Sequence, residues 1–227
     1  MRVLVACEES QAVCVEMRRL GHEAYSCDIQ PCSGGHPEWH ILGDALPVIH
    51  EGGWDMVIAH PPCTYLTAAG AVRLYNADHT IKDAGRLAKG YEAARFFRKI
   101  WDCDCPRVAI ENPVPMGVFG LPPYSQIIEP YMFGDPWRKR TCLWLRGLPP
   151  LVAMTEAPVE PRGLWVGSTS KRKDPTIDQR YELHSNRDQK RRSKTFPGIA
   201  RAMALQWAGD VNERTEGLGW QRRGAGR

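Results

Sequence analysis

Short apolar runs alternate with helical patterns along the first 150 residues of the chain. Runs short enough to be buried strands cover residues 2–7, 23–28, 40–44, 54–59 and 107–111, with weaker candidates at 126–128 and 141–145. Apolar residues spaced by three and four predict helices over residues 10–20, 84–101 and 198–207. Ser10 is expected to cap the first helix. The long helix is expected to present one apolar face, formed by Ala84, Leu87, Ala88, Tyr91, Ala94 and Trp101.

This alternation predicts an α/β fold with a mostly parallel sheet and helices on both faces. In such a sheet, ligands bind at the carboxyl ends of the strands. Several predicted strands end in polar or reactive residues, so we expect these side chains to converge on one rim: Cys7 and Glu8, Asp28, His60 to Cys63, and Glu111 with Asn112.

The composition is that of an ordinary globular protein. The chain has 227 residues, of which 43% are hydrophobic and 25% charged, and this length suits one large α/β domain or one domain with an insertion. No apolar run approaches the roughly 20 residues of a membrane helix, so no membrane contact is expected. Eight scattered cysteines without an export signal favour reduced thiols in a cytoplasmic protein.

The basic charge is concentrated in one stretch. The net charge is +4, yet residues 162–201 alone carry 11 Lys and Arg against 4 Asp and Glu. Such a stretch favours a polyanion contact, and a solvated basic loop is the alternative that charge alone leaves open. Residues 149–197 lack strong periodicity and are predicted to form a small basic region, whereas 211–227 are predicted to be a flexible tail.

Two strand ends carry groups suited to covalent catalysis. Cys63 follows two prolines that stiffen its turn, which makes its thiol a candidate nucleophile, with a small buried thiol as the alternative. Glu111 ends the next buried strand, where desolvation could raise the pKa of a carboxyl group and let it donate a proton. A carboxylate that caps the following turn is the alternative for Glu111.

Acids at the ends of the second and third strands are typical of nucleoside recognition. Asp28 and Asp44 could accept hydrogen bonds from ribose hydroxyls or an adenine amino group, or simply form turns. The first strand-to-helix turn has neither a GxGxxG pattern nor a Walker lysine, which favours a cofactor without phosphate. Cys103-x-Cys105 has no second ligand pair at zinc spacing, and we expect no metal.

Taken in order, these pieces resemble the C5-cytosine-specific DNA methyltransferases, in particular a small branch of phage or prophage type. Pro62-Cys63 resembles the Pro-Cys nucleophile motif of that family, and Glu111-Asn112 its Glu-Asn motif. Arg138 and Arg140 match the two arginines of its Gln-x-Arg-x-Arg motif, whose glutamine is lost here. Gly43-Asp44 looks like its Gly-Asp motif, and the order holds over residues 1–148.

The resemblance implies a Rossmann-like class I S-adenosylmethionine-dependent methyltransferase fold. Residues 1–148 and 198–210 would form the catalytic domain, and 149–197 a target-recognition-like region. The implied reaction is methyl transfer to C5 of a flipped cytosine in double-stranded DNA by a monomeric enzyme, with an RNA or free-nucleotide substrate as a variant. The implied catalytic residues are Cys63, Glu111, Arg140 and Arg138. The implied S-adenosylmethionine-binding residues are Ala6, Cys7, Glu8, Ser10, Asp28, Ile29, Asp44, Ala45, His60 and Pro61.

Departures from the family pattern keep two other functions open. The family's glycine-rich Phe-x-Gly-x-Gly motif is replaced by Ala6-Cys7-Glu8-Glu9-Ser10, and Thr64 stands where a glutamine is usual. The lost glycines motivate the hypothesis of a catalytically inactive, nucleic-acid-binding relative. An amino-methyltransferase acting on an exocyclic base amine is the second alternative, although His60-Pro61-Pro62-Cys63 lacks the acid or amide and the aromatic residue of the loop that such enzymes use.

Overall fold

A single seven-stranded sheet organises the protein, whose computed structural model describes residues 1–154 and 193–209. The strands lie in the order β3-β2-β1-β4-β5-β7-β6; the first five are parallel, and β7 runs antiparallel to both β5 and β6. Their bounds are Arg2–Ala6 (β1), Glu23–Asp28 (β2), His40–Leu42 (β3), Met56–Ala59 (β4), Val108–Pro113 (β5), Gln126–Ile128 (β6) and Thr141–Arg146 (β7).

Helices cover both faces of this sheet because successive strand residues point to opposite sides. Val3 and Val5 of β1 share a core with two helices, α1 (Ala12–Arg19) and α5 (Pro197–Trp207). Leu4 and Ala6 share the opposite core with α2 (Ala45–Glu51) and α4 (Ala84–Trp101). A short helix, α3, covers Ala71–Leu74.

The predicted fold class is therefore confirmed: the protein has a Rossmann-like α/β fold with a mostly parallel sheet. The strand order reverses between β1 and β4, which puts the topological switch point beside the turn that follows β1. No helix among the described residues is long and apolar enough to cross a membrane. The greater part of the predicted basic region 149–197 and the whole of the predicted tail 211–227 lie outside the described residues.

Two predictions about helices were wrong in detail. Ser10 does not cap α1, because the helix begins after Gln11 and its first turn receives the carboxylate of Glu8 instead. The buried face of α4 consists of Gly90, Ala94, Phe97 and Ile100, so the predicted face is rotated.

Close packing at Gly90 explains the rotation of α4. The ring of Phe119 lies so near to this glycine that a Cβ atom there would be 2.1 Å from the Phe119 Cζ atom. Tyr91 consequently stays 44% exposed and meets the Phe119 ring edge-on. An apolar pattern alone does not contain this information, since a glycine counts as neither apolar nor polar in it.

Candidate active site

The turn after β4 is fastened to the end of β5 by two adjacent side chains. The Asn112 amide donates a hydrogen bond of 2.8 Å to the carbonyl oxygen of Pro61. The neighbouring Glu111 places Oε2 3.1 Å from Nδ1 of His60. The main-chain N–H of His60 also bonds the carbonyl of Ala6 at 2.9 Å, which ties the turn to β1. We call His60, Pro61, Cys63, Glu111 and Asn112 the β4–β5 corner.

Cys63 lies in a tight turn directly beyond this fastening point. Its carbonyl oxygen accepts hydrogen bonds from the N–H groups of Leu66 at 3.0 Å and Thr67 at 3.1 Å. The chain then returns to the β5 side, where Ala68 N–H donates to the carbonyl of Val114 at 2.8 Å. The thiol is half-buried, so its turn is held on both sides while the residue retains access to solvent.

Glu111 is ionised at rest, contrary to the raised pKa expected from the sequence. Burial raises the pKa of this carboxyl group, but the Lys139 ammonium, the hydrogen bond and charge of His60, and a hydrogen bond from Thr141 together lower it below its ordinary value. The side chains of His60 and Glu111 are only 8% and 13% exposed. The pair is therefore largely shielded from water. Electrostatic interactions are stronger in such a shielded environment than in water.

Lys139, which the sequence did not single out, is the cation that acts on Glu111. Of the two predicted arginines, Arg138 lies 3.7 Å from a carboxylate oxygen of Glu129, and Arg140 is exposed and close enough to Cys142 to influence its pKa. Lys139 lies two residues before the start of β7 at Thr141, which also bonds Glu111. Position in the folded chain, and not charge alone, therefore decides which cation acts on the carboxylate.

The turn after β1 keeps a left-handed backbone without the glycines that usually supply one. Cys7 and Gln11 both have a φ of 58°, a region that L-residues other than glycine seldom adopt. Glu8 follows Cys7 and is buried, with its two carboxylate oxygens accepting hydrogen bonds from Val13 N–H at 2.7 Å and Cys14 N–H at 3.2 Å. Its carboxylate therefore occupies the start of α1, where a phosphate would otherwise bind.

Burial raises the pKa of Glu8 to about 7, despite the opposing charge of His60 and the two N–H groups of α1. This electrostatic interaction with His60 shows that the turn after β1 and the β4–β5 corner lie next to each other. Glu8 is among the residues expected to bind the cofactor, which stays a prediction, and in the structure its carboxylate bonds the first turn of α1.

Carboxylates and an apolar side chain surround the other end of the β1 turn. Burial and the negative charges of Asp28 and Asp44 raise the pKa of Cys7 to about 12, so both acids lie close to it. Ile29 is 77% exposed directly after Asp28, and Ala45 is buried at the start of α2. We call the turn 7–11 with Asp28, Ile29, Asp44 and Ala45 the acidic side.

Both acids also bond to nearby backbone, as the turn-forming alternative predicted. Asp28 Oδ1 accepts a hydrogen bond from Gln30 N–H at 2.9 Å, and Asp44 Oδ1 caps α2 by accepting one from Leu46 N–H at 3.0 Å. A carboxylate oxygen has two lone pairs and each acid has a second oxygen, so these bonds leave capacity for a ligand. The two interpretations of these residues are therefore compatible.

The loop after β2 covers the β1 turn, which the sequence did not reveal. Ser33 N–H donates to the carbonyl of Glu9 at 2.7 Å, and a Cβ atom at Gly34 would be 2.5 Å from the Cβ of Gln11. The side-chain amide of Gln11 donates a hydrogen bond to the carbonyl of His36 at 2.8 Å and accepts one from the N–H of His36 at 3.1 Å. The Gly-Gly pair at 34–35 was the available signal, since a close backbone approach is one reason for glycine in a loop.

Comparisons with known proteins find likeness to solved structures and to no known family. No family model matches the chain, and no curated protein matches it. Among solved structures, the chain is similar to a crystal structure of an E. coli protein encoded within a prophage and provisionally designated a DNA modification methyltransferase. The identity is 11%, the match covers 63% of this chain and 45% of that chain, and the TM-score is 0.37. A likeness of this size carries no conclusion about activity, which depends on the residues of the site.

Proposed function

We propose that the protein is an S-adenosylmethionine-dependent DNA methyltransferase that methylates C5 of cytosine through a covalent bond to Cys63. The observation that carries this proposal is the fastening of the Cys63 turn by Glu111 and Asn112, which brings a thiol and a carboxylate to one corner of the sheet. The sheet order, with an antiparallel strand between β5 and β6, has the form of the class I methyltransferase fold that the resemblance implied.

The acidic side fits S-adenosylmethionine better than a phosphate-bearing cofactor. Asp28 and Asp44 offer carboxylate oxygens to hydroxyl and amino groups, and they favour a cationic ligand. The exposed Ile29 side chain offers apolar surface to a flat ring. Glu8 takes up N–H groups at the start of α1 that a phosphate would otherwise use. When bound here, S-adenosylmethionine would supply the methyl group.

The left-handed turn at Cys7 also argues against the hypothesis of an inactive relative. That hypothesis is motivated by the missing glycines, yet the backbone adopts the conformation for which glycine is normally needed. A strained conformation held without glycine costs free energy, and such strain persists mainly where function uses it.

In the proposed reaction, Cys63 adds as a thiolate to C6 of the ring, which makes C5 nucleophilic. Glu111 faces N3 and Lys139 neutralises charge that develops beside it, while Arg138 and Arg140 remain candidates for contacts to the base or to phosphates. C5 then takes the methyl group that bound S-adenosylmethionine would supply, which would leave S-adenosylhomocysteine. Loss of the C5 proton to solvent and departure of Cys63 complete the cycle. Because the thiol lies in a turn at the sheet edge, the target base must leave the DNA stack to reach it.

The deciding experiment is transfer of a labelled methyl group from S-adenosylmethionine to unmethylated double-stranded DNA, with the products digested to nucleosides and identified by mass. Wild type, Cys63→Ala and Cys103→Ala should be compared. Cys103 is buried after α4, before β5 begins and away from the carboxyl ends of the strands, which makes it a matched thiol control.

We expect 5-methylcytosine from wild type and Cys103→Ala, and none from Cys63→Ala. Methylated product from Cys63→Ala would remove the covalent mechanism, and a methylated exocyclic amine would favour an amino-methyltransferase. DNA binding without S-adenosylmethionine binding would favour the inactive relative.

A further inference from the structure

The side chain of His60 is only 8% exposed, and among the described residues only one of its two ring nitrogens has a hydrogen-bond partner. Nδ1 lies 3.1 Å from Oε2 of Glu111, and Nε2 is buried without a partner among the described residues. A buried polar atom without a partner costs free energy, so its retention calls for an explanation. A glycine or another small residue in this turn would avoid the cost.

The groups around His60 form a buried chain of titratable side chains. Glu8 interacts with it from the β1 turn, and Glu111 bonds it from β5. Lys139 and Thr141 act on Glu111 from the β7 side. Cys142 on β7 also lies close to the pair, since burial and the charge of Glu111 raise the pKa of its thiol to about 11 against the opposing charge of Arg140.

An ionised Glu111 creates a difficulty for the proposed reaction. A carboxylate only accepts hydrogen bonds, whereas N3 of cytosine carries a lone pair and must gain a proton as Cys63 adds to C6. Nδ1 of His60 lies within hydrogen-bond distance of that carboxylate, at 3.1 Å from Oε2. This contact can therefore provide the proton that the Glu111 carboxylate lacks.

We propose that His60 is the positioning residue for Glu111 and the source of the proton that Glu111 passes to the base; this rests on the proposed function. The Cys63 Sγ–C6 bond forms, the C5=C6 electron pair moves to C4=C5, and the C4=N3 pair moves to N3. Glu111 takes the Nδ1 proton of the His60 imidazolium and passes it to N3. The imidazole ends neutral, and the proton returns when Cys63 leaves.

Replacement of His60 by glutamine tests this role through the pH profile. His60→Gln keeps an amide donor near Glu111 but removes the titratable proton and the positive charge. Without that charge the pKa of Glu111 rises, so Glu111 carries its own proton at lower pH. We expect kcat at pH 8 to fall by about 100-fold, with KM for S-adenosylmethionine changed by less than about 3-fold, and part of the lost rate to return at pH 6.

Equal losses of kcat at pH 6 and pH 8 would overturn the proposal and leave His60 with a structural role. A large rise in KM for S-adenosylmethionine with kcat unchanged would also overturn it, and would return His60 to the cofactor-binding role implied by the resemblance. His60→Phe serves as a second variant, because it fills the space but can neither donate nor accept a hydrogen bond, and we expect no recovery at pH 6 comparable to that of His60→Gln.

A spectroscopic measurement separates this proposal from the proposed function. Nitrogen NMR of the seven histidines in the full chain, with His60 assigned from His60→Gln, reports the tautomer of each ring. We expect Glu111→Gln to shift the His60 nitrogens alone. Glu38→Gln is the matched control, since Glu38 lies 3.3 Å from Nδ1 of His36 on the surface and should affect His36 only.

The NMR and activity results have distinct meanings. His60 nitrogens that ignore Glu111→Gln would overturn the pairing whatever the activity of the protein. A coupled pair in a wild-type protein that transfers no methyl group to any cytosine-containing DNA would overturn the proposed function and, with it, the proton-transfer role.

Discussion

The β4–β5 corner and the acidic side form neighbouring parts of one rim, but they are held in different ways. At the corner, hydrogen bonds between buried side chains and the turn fix the position of Cys63. On the acidic side, a left-handed backbone and the loop packed over it define the shape, and the acids remain partly free for a ligand. Chemistry that depends on a particular atom should therefore be sensitive to side-chain changes at the corner, whereas binding on the acidic side should be sensitive to backbone shape.

The largest expected effect is that of Glu111→Gln on turnover. The substitution preserves shape but removes the negative charge and the ability to carry a proton, so we expect kcat to fall by about 10²- to 10⁴-fold. S-Adenosylmethionine affinity, measured by titration calorimetry, should change little because Glu111 lies outside the acidic side. Asp28→Asn is the matched carboxylate on that side and should weaken affinity more than it lowers kcat. If both variants changed kcat and S-adenosylmethionine affinity to the same extent, the distinction between the β4–β5 corner and the acidic side would be wrong.

The next effect concerns stability and pH, and it originates in Glu8. Its pKa is raised from 4.5 to about 7 in the folded protein, so the folded state holds this proton more tightly than the unfolded state does. Between pH 4.5 and about pH 7 the folded state therefore binds more protons than the unfolded state, and the free energy of unfolding falls as the pH rises. The loss is on the order of 3 kcal/mol.

Urea unfolding of wild type and Glu8→Gln at pH 5 and pH 8 measures this contribution. Glutamine does not titrate, so the variant should lack the part of the decrease in unfolding free energy that Glu8 causes. A wild-type slope that persists unchanged in Glu8→Gln would assign it to other groups. Glu111 does not interfere in this window, because its lowered pKa makes its stabilising effect disappear only as the pH falls below the ordinary value of the group.

A smaller effect is expected from Asn112, whose amide fastens Pro61 to β5. Asn112→Ala removes a buried hydrogen bond of 2.8 Å and leaves the Pro61 carbonyl without this donor, so unfolding free energy should fall by about 1–3 kcal/mol. Because Cys63 follows two residues later, kcat should fall as well, as the thiol loses its fixed position. Asn112→Asp keeps the shape but cannot donate when ionised, and similar losses in both variants would support the role of the hydrogen bond. Full activity in Asn112→Ala would show that the turn holds Cys63 by its backbone bonds alone.

The central strands β1, β4 and β5 could be predicted because each contains an uninterrupted apolar run, and a polar residue at or just after the end marks the limit of these strands and of β2. The rim residues Asp28, His60 and Glu111 were found in this way. The contact between His60 and Glu111 could not be predicted, since 51 residues and the whole of α4 separate them. Which ring nitrogen meets which oxygen depends on packing and register, and a linear pattern contains neither.

The same limit explains the cap of α1 and the cation beside Glu111. Ser10 has the residue type and position of a cap, but the left-handed turn shifts the helix start and lets Glu8 fold back onto Val13 and Cys14. Lys139 lies between two arginines that match the family motif, and only the folded structure shows that its charge acts on the Glu111 carboxylate. Local signals identified the right segments and left the orientation of individual side chains undetermined.

The smallest effect tests whether the acidic side depends on backbone shape. Cys7 has a φ of 58°, where an L-residue costs about 1–2 kcal/mol relative to glycine. Cys7→Gly should relieve that strain and offset the loss of the thiol's packing, so stability by urea unfolding should stay within about 1 kcal/mol of wild type and S-adenosylmethionine should still bind. Cys7→Val should lower stability by about 2 kcal/mol and weaken binding, because a β-branched residue tolerates this conformation poorly. Binding lost in Cys7→Gly but kept in Cys7→Val would instead assign the site to the side chain at this position, and the contrast with the β4–β5 corner would disappear.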